Sequence, residues 1–445
     1  MAVTNTGSCP TSGGCVWLSS RAGVWETVGA GAHYLAPGSN LRDAGSTVIS
    51  TSLKNDLSGL TTYSPLVSSQ IVSVASVLRP QAQRDVDTPD VGYHYWALDY
   101  ALNTLVVTNT ALVLTNGTAI AIFGNTGIWL QNNSQLISEG SPTRPNRFVS
   151  FNTVQEQSTN WGNGPLSPMA ICPYNTGNAP SAQFRFTFFD TFNHGNAHLL
   201  MQVPYWTYSS LTIQDCQFGS GRVQFDGYSN TVVTVNNSLF DQAWVDLGFL
   251  GDALQLSAYN SGFVECTICE ETVTTNRFLL RDNVFDTCYI EQMDDSVSGN
   301  NNAYITNNFP WRTNFVTTAT FTPPGASDIV LAGFTYTNST LGGYYQYSPN
   351  LLGKGSRSAA AAGLYHYTVL ANQTKEANNA AVALGFHYVA TDSQGVPLDY
   401  DGDGFPDYAE DRNGNGSVDA GETNWQLSNS GLSGSAGLQV FTPLK

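Results

Sequence analysis

Residues 399–422, DYDGDGFPDYAEDRNGNGSVDAGE, hold the side chains with the clearest chemistry in the chain. Two twelve-residue segments lie back to back. The first sets Asp399, Asp401 and Asp403 at alternate positions, then Gly404, then Asp407 and Glu410. The second repeats this with Asp411, Asn413, Asn415, Gly416, Asp419 and Glu422. Both satisfy the pattern D-x-[DN]-x-[DN]-G-x5-E in full. That pattern suits calcium, a hard cation that takes oxygen ligands. Alternate residues turn oxygens inward, the glycine permits a sharp turn, and the closing glutamate can bind through both oxygens. A merely solvated acidic linker would not need glycine at the sixth position of both segments.

The two segments resemble the calcium loops of EF-hand, dockerin and thrombospondin type 3 repeats. The resemblance implies side-chain ligands from Asp399, Asp401, Asp403, Asp407 and Glu410, with the carbonyl of Phe405. In the second loop it implies Asp411, Asn413, Asn415, Asp419, Glu422 and the carbonyl of Ser417. Two departures stand out. No residue separates Glu410 from Asp411, which leaves no room for a helix between the loops. Pro406 stands where paired EF-hands place a β-branched residue, and proline cannot donate to a strand pair. A rigid calcium-ordered linker is expected, not a helix-paired sensor.

The remaining chemistry depends on the elements that carry it, and those elements repeat. Phenylalanine recurs at 218, 240, 263, 285 and 309, at spacings of 22, 23, 22 and 24. Three residues before the first four stand Asp215, Asn237, Asn260 and Asp282. Apolar columns fall seven and five residues before (Leu211/Ile213, Val233/Val235, Leu256/Ala258, Phe278/Leu280) and five after (Val223, Val245, Ile268, Ile290). Each repeat holds two or three short alternating strands, too small to bury a face alone, so stacked repeats must share one core. A period of 22–24 with strand alternation and an Asx turn predicts a right-handed parallel β-helix over residues 101–310. The Asx side chains are expected to bond backbone groups of the neighbouring repeat. The leucine-rich repeat spacing is absent, and propeller blades are longer. Residues 104–140 and 184–192 read as earlier turns of the same helix. The Pro-, Asn- and Gly-rich stretch 141–181 reads as a loop leaving it.

Within that frame, the columns four and six residues after each phenylalanine point outward. They place Arg222, Trp244 and Tyr289 beside Asp246 and Glu291, a face suited to carbohydrate. Asp246 and Glu291 lie two repeats apart, about 9–10 Å between backbones, close to the roughly 6.5–9.5 Å carboxyl separation of inverting glycosidases. An ordinary polar outer face explains the same residues. Asp294-Asp295 lacks the companion motifs of polygalacturonases. His194 and His198 read as surface-loop residues. His94, His366 and His387 fall in recurring (Y/F)HY motifs and read as packing residues. Cys266 and Cys288 share an inward column, as two buried thiols or as a disulfide. Cys9 and Cys15 are candidates to close a terminal loop. Cys266 and Cys269 lack the second pair that zinc needs.

A second repeat brackets the first. HYLAPGSNLRDAGST (33–47) resembles YYQYSPNLLGKGSRS (344–358), GLTTY (59–63) matches GLYHY (363–367), and DVGYHY (90–95) resembles ALGFHY (383–388). The run Leu35, Pro37, Gly38, Ser39, Asp43, Ala44, Gly45, then Asp90, Gly92 and Tyr95, is similar to secreted β-helix proteins of Planctomycetes and Verrucomicrobia. That resemblance implies that residues 1–100 close a preceding helix unit. The internal repeat places a second closing module over 311–395, the tandem calcium loops fall in 396–425, and 426–445 read as a tail or linker.

Composition narrows the partners. Net charge is −17, with eight acids and one arginine in residues 399–422. No basic patch exists, so nucleic acid and anionic membrane surfaces are not expected partners. No signal peptide and no apolar run long enough to span a membrane is seen. Calcium loops of this kind fit the millimolar calcium outside cells. The expectation is an extracellular or cell-surface calcium-binding module with a structural or adhesive role. Its candidate partners are a polysaccharide or a neighbouring copy in a surface assembly. The alternative is a polysaccharide lyase or glycoside hydrolase acting through acids such as Asp246 and Glu291.

Overall fold

Strict alternation of apolar residues sets the strands. Leu211 and Ile213 are buried in Ser210–Gln214, and Leu256 and Ala258 in Gln255–Tyr259, while their neighbours face outward. The computed structural model describes residues 2–3, 16–29, 31–151, 156, 169–174, 177–201, 206–225, 231–247, 254–270, 277–291, 297–306 and 325–428. For residues 2, 3, 17, 191–196, 270 and 291 only the backbone is described. Cys9, Cys15, Asp294, Asp295, Phe309 and the tail from 429 lie outside the described residues.

The chain is all-β, built on two large parallel sheets of 18 and nine strands. Each repeat in the middle of the chain gives one strand to the nine-stranded sheet and two to the other. Gln255–Tyr259, Gly262–Val264 and Thr267–Glu270 make one such set, followed by Arg277–Arg281, Val284–Asp286 and Tyr289–Glu291. Partners lie one repeat apart in sequence, so Phe218 pairs with Phe240, Phe240 with Phe263, and Phe263 with Phe285. One continuous apolar cluster runs from Leu102 to Tyr304.

The phenylalanines form a single file of stacked rings. Ring centroids lie 4.8 Å apart for Phe218–Phe240 and Phe240–Phe263 and 4.9 Å apart for Phe263–Phe285. The file extends upstream through Phe189 and Phe148, at 4.8 and 5.0 Å. Downstream, Tyr304 and not Phe309 stacks on Phe285, at 5.1 Å. The step from Phe285 to Tyr304 is shorter than the spacing of phenylalanines suggested.

Two single-residue corners bend each repeat. Asp215, Asn237, Asn260 and Asp282 adopt φ of 55°, 43°, 48° and 63°. Asx residues tolerate this left-handed region because their short polar side chains bond locally. Ser220, Gln242, Glu265 and Thr287 make the second corner at φ between 52° and 55°. The side chains that bond the neighbouring repeat's backbone stand one residue after the Asx column, not in it. Cys216 N donates to Ser238 Oγ (3.2 Å), Ser238 N to Ser261 Oγ (3.1 Å), Ser261 N to Asn283 Oδ1 (2.9 Å) and Asn283 N to Asn302 Oδ1 (3.1 Å). The Asx side chains point out and hold the C-terminal segment instead. Asn237 Oδ1 accepts from His387 N at 2.7 Å, and Asp282 Oδ1 from Ser356 N at 2.6 Å.

Other expectations shift. The stretch 141–181 contains two sheet strands, Asn146–Ser150 and Met169–Pro173, so the residues that leave the sheets are fewer. Leu66–Ser68, Ile71–Val72 and Ser76–Leu78 pair with Tyr100–Leu102, Leu105–Val107 and Ala111–Leu114, so the sheets begin before residue 101. His198 is fully buried on the strand Thr187–Leu200, against Phe189 and Phe218. Its surface-loop expectation fails because the strand turns the ring inward. The side chain of His194 is outside the described residues. Cys266 and Cys288 are free buried thiols.

Candidate functional site

The first calcium-type loop is wound by its own side chains. Asp399 Oδ1 and Oδ2 accept from Gly402 N and Gly404 N at 2.8 and 2.9 Å. Asp401 and Asp403 accept from Asp403 N and Phe405 N at 3.1 and 2.9 Å. Gly402 and Gly404 take φ of 73° and 95°, conformations that favour glycine. The result brings oxygens of Asp399, Asp401 and Asp403 within 4.8 Å of one another. Asp401 Oδ2 is shielded from solvent and meets no hydrogen-bond donor among the described residues. Desolvation, with the charges of Asp403 and Asp399, pushes the Asp401 carboxyl up. Converging carboxylates with an unsatisfied oxygen fit a hard cation.

Asp407 and Glu410, expected as the two later ligands, are buried on the one-turn helix Asp407–Glu410, which starts behind Pro406. They stand outside the cluster of three. Asp407 Oδ1 accepts from Tyr400 N at 2.7 Å, and Oδ2 faces His366 Nδ1 and Lys375 Nζ, each at 3.6 Å. Burial raises its pKa, but His366, Tyr400 and Lys375 outweigh that and hold the carboxyl below its usual range. The short helix lies inside the first loop, and Asp411 follows it directly, so no helix stands between the two loops.

The second loop closes on hydrogen bonds. Asn413 Nδ2 and Asn415 Nδ2 both donate to Asp419 Oδ2 at 2.7 Å, which lowers the Asp419 pKa. Glu422 accepts from Asn413 N and Asp419 N at 3.0 Å each. Asp411 is buried; Gly416 N and His366 Nε2 reach its Oδ2 at 2.5 and 2.9 Å. Turning the two amides over would present oxygens to an ion. His366 therefore touches an acid of each loop, a role its repeated motif did not reveal. Tyr408 packs on Phe186 with ring centroids 5.5 Å apart, and Arg412 reaches Glu139 at 2.7 Å, so the loops are docked on the sheets.

The residues expected on the outer face fall in two adjacent columns, and in the second of them Gln224 and Asp246 are buried, not outward in solvent. Arg222, Trp244, Thr267 and Tyr289 pair in register, as do Gln224, Asp246, Cys269 and Glu291. Asp246 is nearly buried and is bonded to Arg222 Nε and, at 2.6 Å, to Trp244 Nε1. Burial pushes its pKa up, while Arg222 and Trp244 pull against that. Cys269 separates Asp246 from Glu291, and the Glu291 side chain lies outside the described residues. Trp244 is 36% exposed.

No family model, curated protein or solved structure matches the chain. Among the described residues, no helix is long and apolar enough to cross a membrane.

Proposed function

We propose that the chain is an extracellular, calcium-binding, right-handed parallel β-helix with a structural or adhesive role at a cell surface. Strand pairing one repeat apart in three columns, with rings stacked in file, supports the helix. The observation that carries the calcium reading is the convergence of Asp399, Asp401 and Asp403 around an oxygen without a donor. The second loop offers the same ligand types, and binding there requires its two amides to turn. When bound, the ion supplies charge neutralisation. Gly402, Gly404 and the aspartates hold the loop shape, and Tyr408 and Arg412 tie that shape to the sheets.

Trp244, exposed, and Arg222, half-buried beside it, form a patch suited to a polysaccharide. Asp246 is committed to both of them, which favours binding over cleavage on this face. Limited proteolysis tests the calcium reading. In calcium, residues 399–422 should resist protease; with chelator they should be cut while the strand stack persists. Identical cleavage in both conditions sinks it.

A further inference from the structure

The two brackets around the sheets are the same module twice, and one copy lacks the contact that the other makes. Trp25–Val28 and Gly31–Leu35 form an antiparallel hairpin with pairs Trp25–Leu35, Glu26–Tyr34 and Val28–Gly31. Tyr336–Ser339 and Gly342–Gln346 repeat it with pairs Tyr336–Gln346, Thr337–Tyr345 and Ser339–Gly342. Both have the irregularity at the same place. Tyr34 lies on Tyr95 at 4.1 Å, and Tyr345 on Tyr388 at 4.3 Å. Gly45 N donates to Pro89 O, as Gly355 N does to Val382 O. Val91 N donates to Leu41 O, as Leu384 N does to Leu351 O. His94 meets Asp85 at 2.6 Å, and His387 meets Glu376 at 3.7 Å. Leu60, not Tyr63, is the counterpart of Tyr367, since these residues open the matching strand pairs.

The second copy uses one face to grip the Asx corner of the strand stack. Besides the bonds of Asn237 to His387 and Asp282 to Ser356, Gly385 N donates to Asp282 O, and Arg357 reaches Asn260 Oδ1 at 2.9 Å. Phe386 packs with Leu239 and Val264. A Cβ on Gly385 would meet Val284 at 2.7 Å. Residues 382–390 are all buried.

The first copy presents the counterpart face to solvent. Of residues 89–97, only Tyr95 is buried. Tyr93, the counterpart of Phe386, is 53% exposed, and Trp96, the counterpart of Val389, is 70% exposed. Trp25 leans over Gly92, and Glu156 reaches the rim through His33 and Tyr95. The link from this copy to its own stack is elsewhere, in strands Leu66–Ser68, Ile71–Val72 and Ser76–Leu78. Exposed aromatic residues on a face that is buried in the other copy mark an interaction site.

We propose that the face formed by residues 89–96, with Ser46 and Thr47 at the positions of Ser356 and Arg357, docks a second parallel-strand stack, distinct from the one described above and bearing a bare Asx corner. The partner's chemistry follows from the occupied copy. It presents a row of Asp and Asn side chains in the left-handed conformation, one per strand spacing, with apolar side chains beside them to receive Tyr93. A second copy of this chain in its closed form does not qualify, because its own second module covers that corner. The inference extends the structural role proposed above and stands whether or not calcium binds.

The chain itself can supply the probe. Phe386→Arg removes the apolar anchor of the second copy and bares the corner. Gly385→Val does the same through its collision with Val284. Whichever variant retains its strand signal by circular dichroism, with Tyr93→Arg added so that it does not bind copies of itself, is titrated into fluorescently labelled chain of natural sequence and followed by analytical ultracentrifugation. Proteolysis first confirms that residues 345–390 have been released. The labelled species should double in mass, and Tyr93→Arg in the labelled chain should weaken the complex by about tenfold or more. No complex at about 100 µM with a released module overturns the proposal. So does a complex indifferent to Tyr93→Arg. Self-association of the natural chain through Tyr93 also overturns it, since the occupant would then be a second copy.

Discussion

Replacing Phe240 by alanine should cost about 3–5 kcal/mol, the range for deleting a buried phenyl ring from a well-packed core. Phe240 has no exposed surface, and its ring lies 4.8 Å from Phe218 on one side and 4.8 Å from Phe263 on the other. Both faces of the ring are in contact, so the cavity opens between two layers that strand pairing keeps apart. Leucine retains most of the volume and loses the stacking, so Phe240→Leu should cost roughly 1–2 kcal/mol. The informative number is the coupling. A double-mutant cycle between Phe240 and Phe263 should give about 0.5–1.5 kcal/mol, because the rings touch. The same cycle between Phe240 and Phe148, three ring steps away, should be additive within about 0.5 kcal/mol. Urea unfolding followed by circular dichroism measures all of these variants, with hydrogen exchange to detect local opening if the transition is not all-or-none. Equal coupling for the near and distant pairs would refute nearest-neighbour stacking as the source of stability.

Other outcomes follow from single contacts. Burial depresses the His198 pKa to about 4 from 6.5, so the unfolded chain takes up the proton first as pH falls. Stability from this group is intact above 6.5 and is lost between 6.5 and 4, by about 3 kcal/mol in full. His198→Gln, which keeps a donor for Ser220 O, should flatten that acid limb in urea titrations run across the same pH range. Asp215 accepts from Arg185 at 3.1 Å and from Tyr367 at 2.9 Å in a buried cluster. Asp215→Ala strands the arginine charge and should cost about 3–5 kcal/mol by thermal or urea unfolding. Replacing both partners with apolar residues should cost clearly less.

What could be read in the sequence was whatever repeated with one residue type at one spacing. Phe218, Phe240, Phe263 and Phe285 did so, and their register follows directly. Phe189 and Phe148 belong to the same file but were hidden, because segments of unequal length separate them from their neighbours. Tyr304 was missed because the repeat shortens and the residue changes. The backbone-bonding ladder of Ser238, Ser261, Asn283 and Asn302 uses two residue types, so the purer Asx column beside it attracted the role. That column's partners, Ser356, Arg357 and His387, lie far along the chain, beyond any local pattern. Strands of two or three residues at 66–78 carry too few alternations to be seen as the start of the sheets. The convergence of Asp399, Asp401 and Asp403 was legible because oxygen-bearing residues alternate there with the glycines that the turn demands. His366 between them was not, because a contact made across the fold leaves no spacing to read.

Calorimetric titration of the full chain in metal-free buffer tests calcium binding most directly. The expected result is saturable calcium binding with a dissociation constant of about 10⁻³ M or tighter. Magnesium should bind more weakly, and Asp401→Asn should reduce affinity by about tenfold or more, because it removes a charged ligand. A flat titration at calcium up to about 10 mM, or binding unaffected by Asp401→Asn, would contradict it.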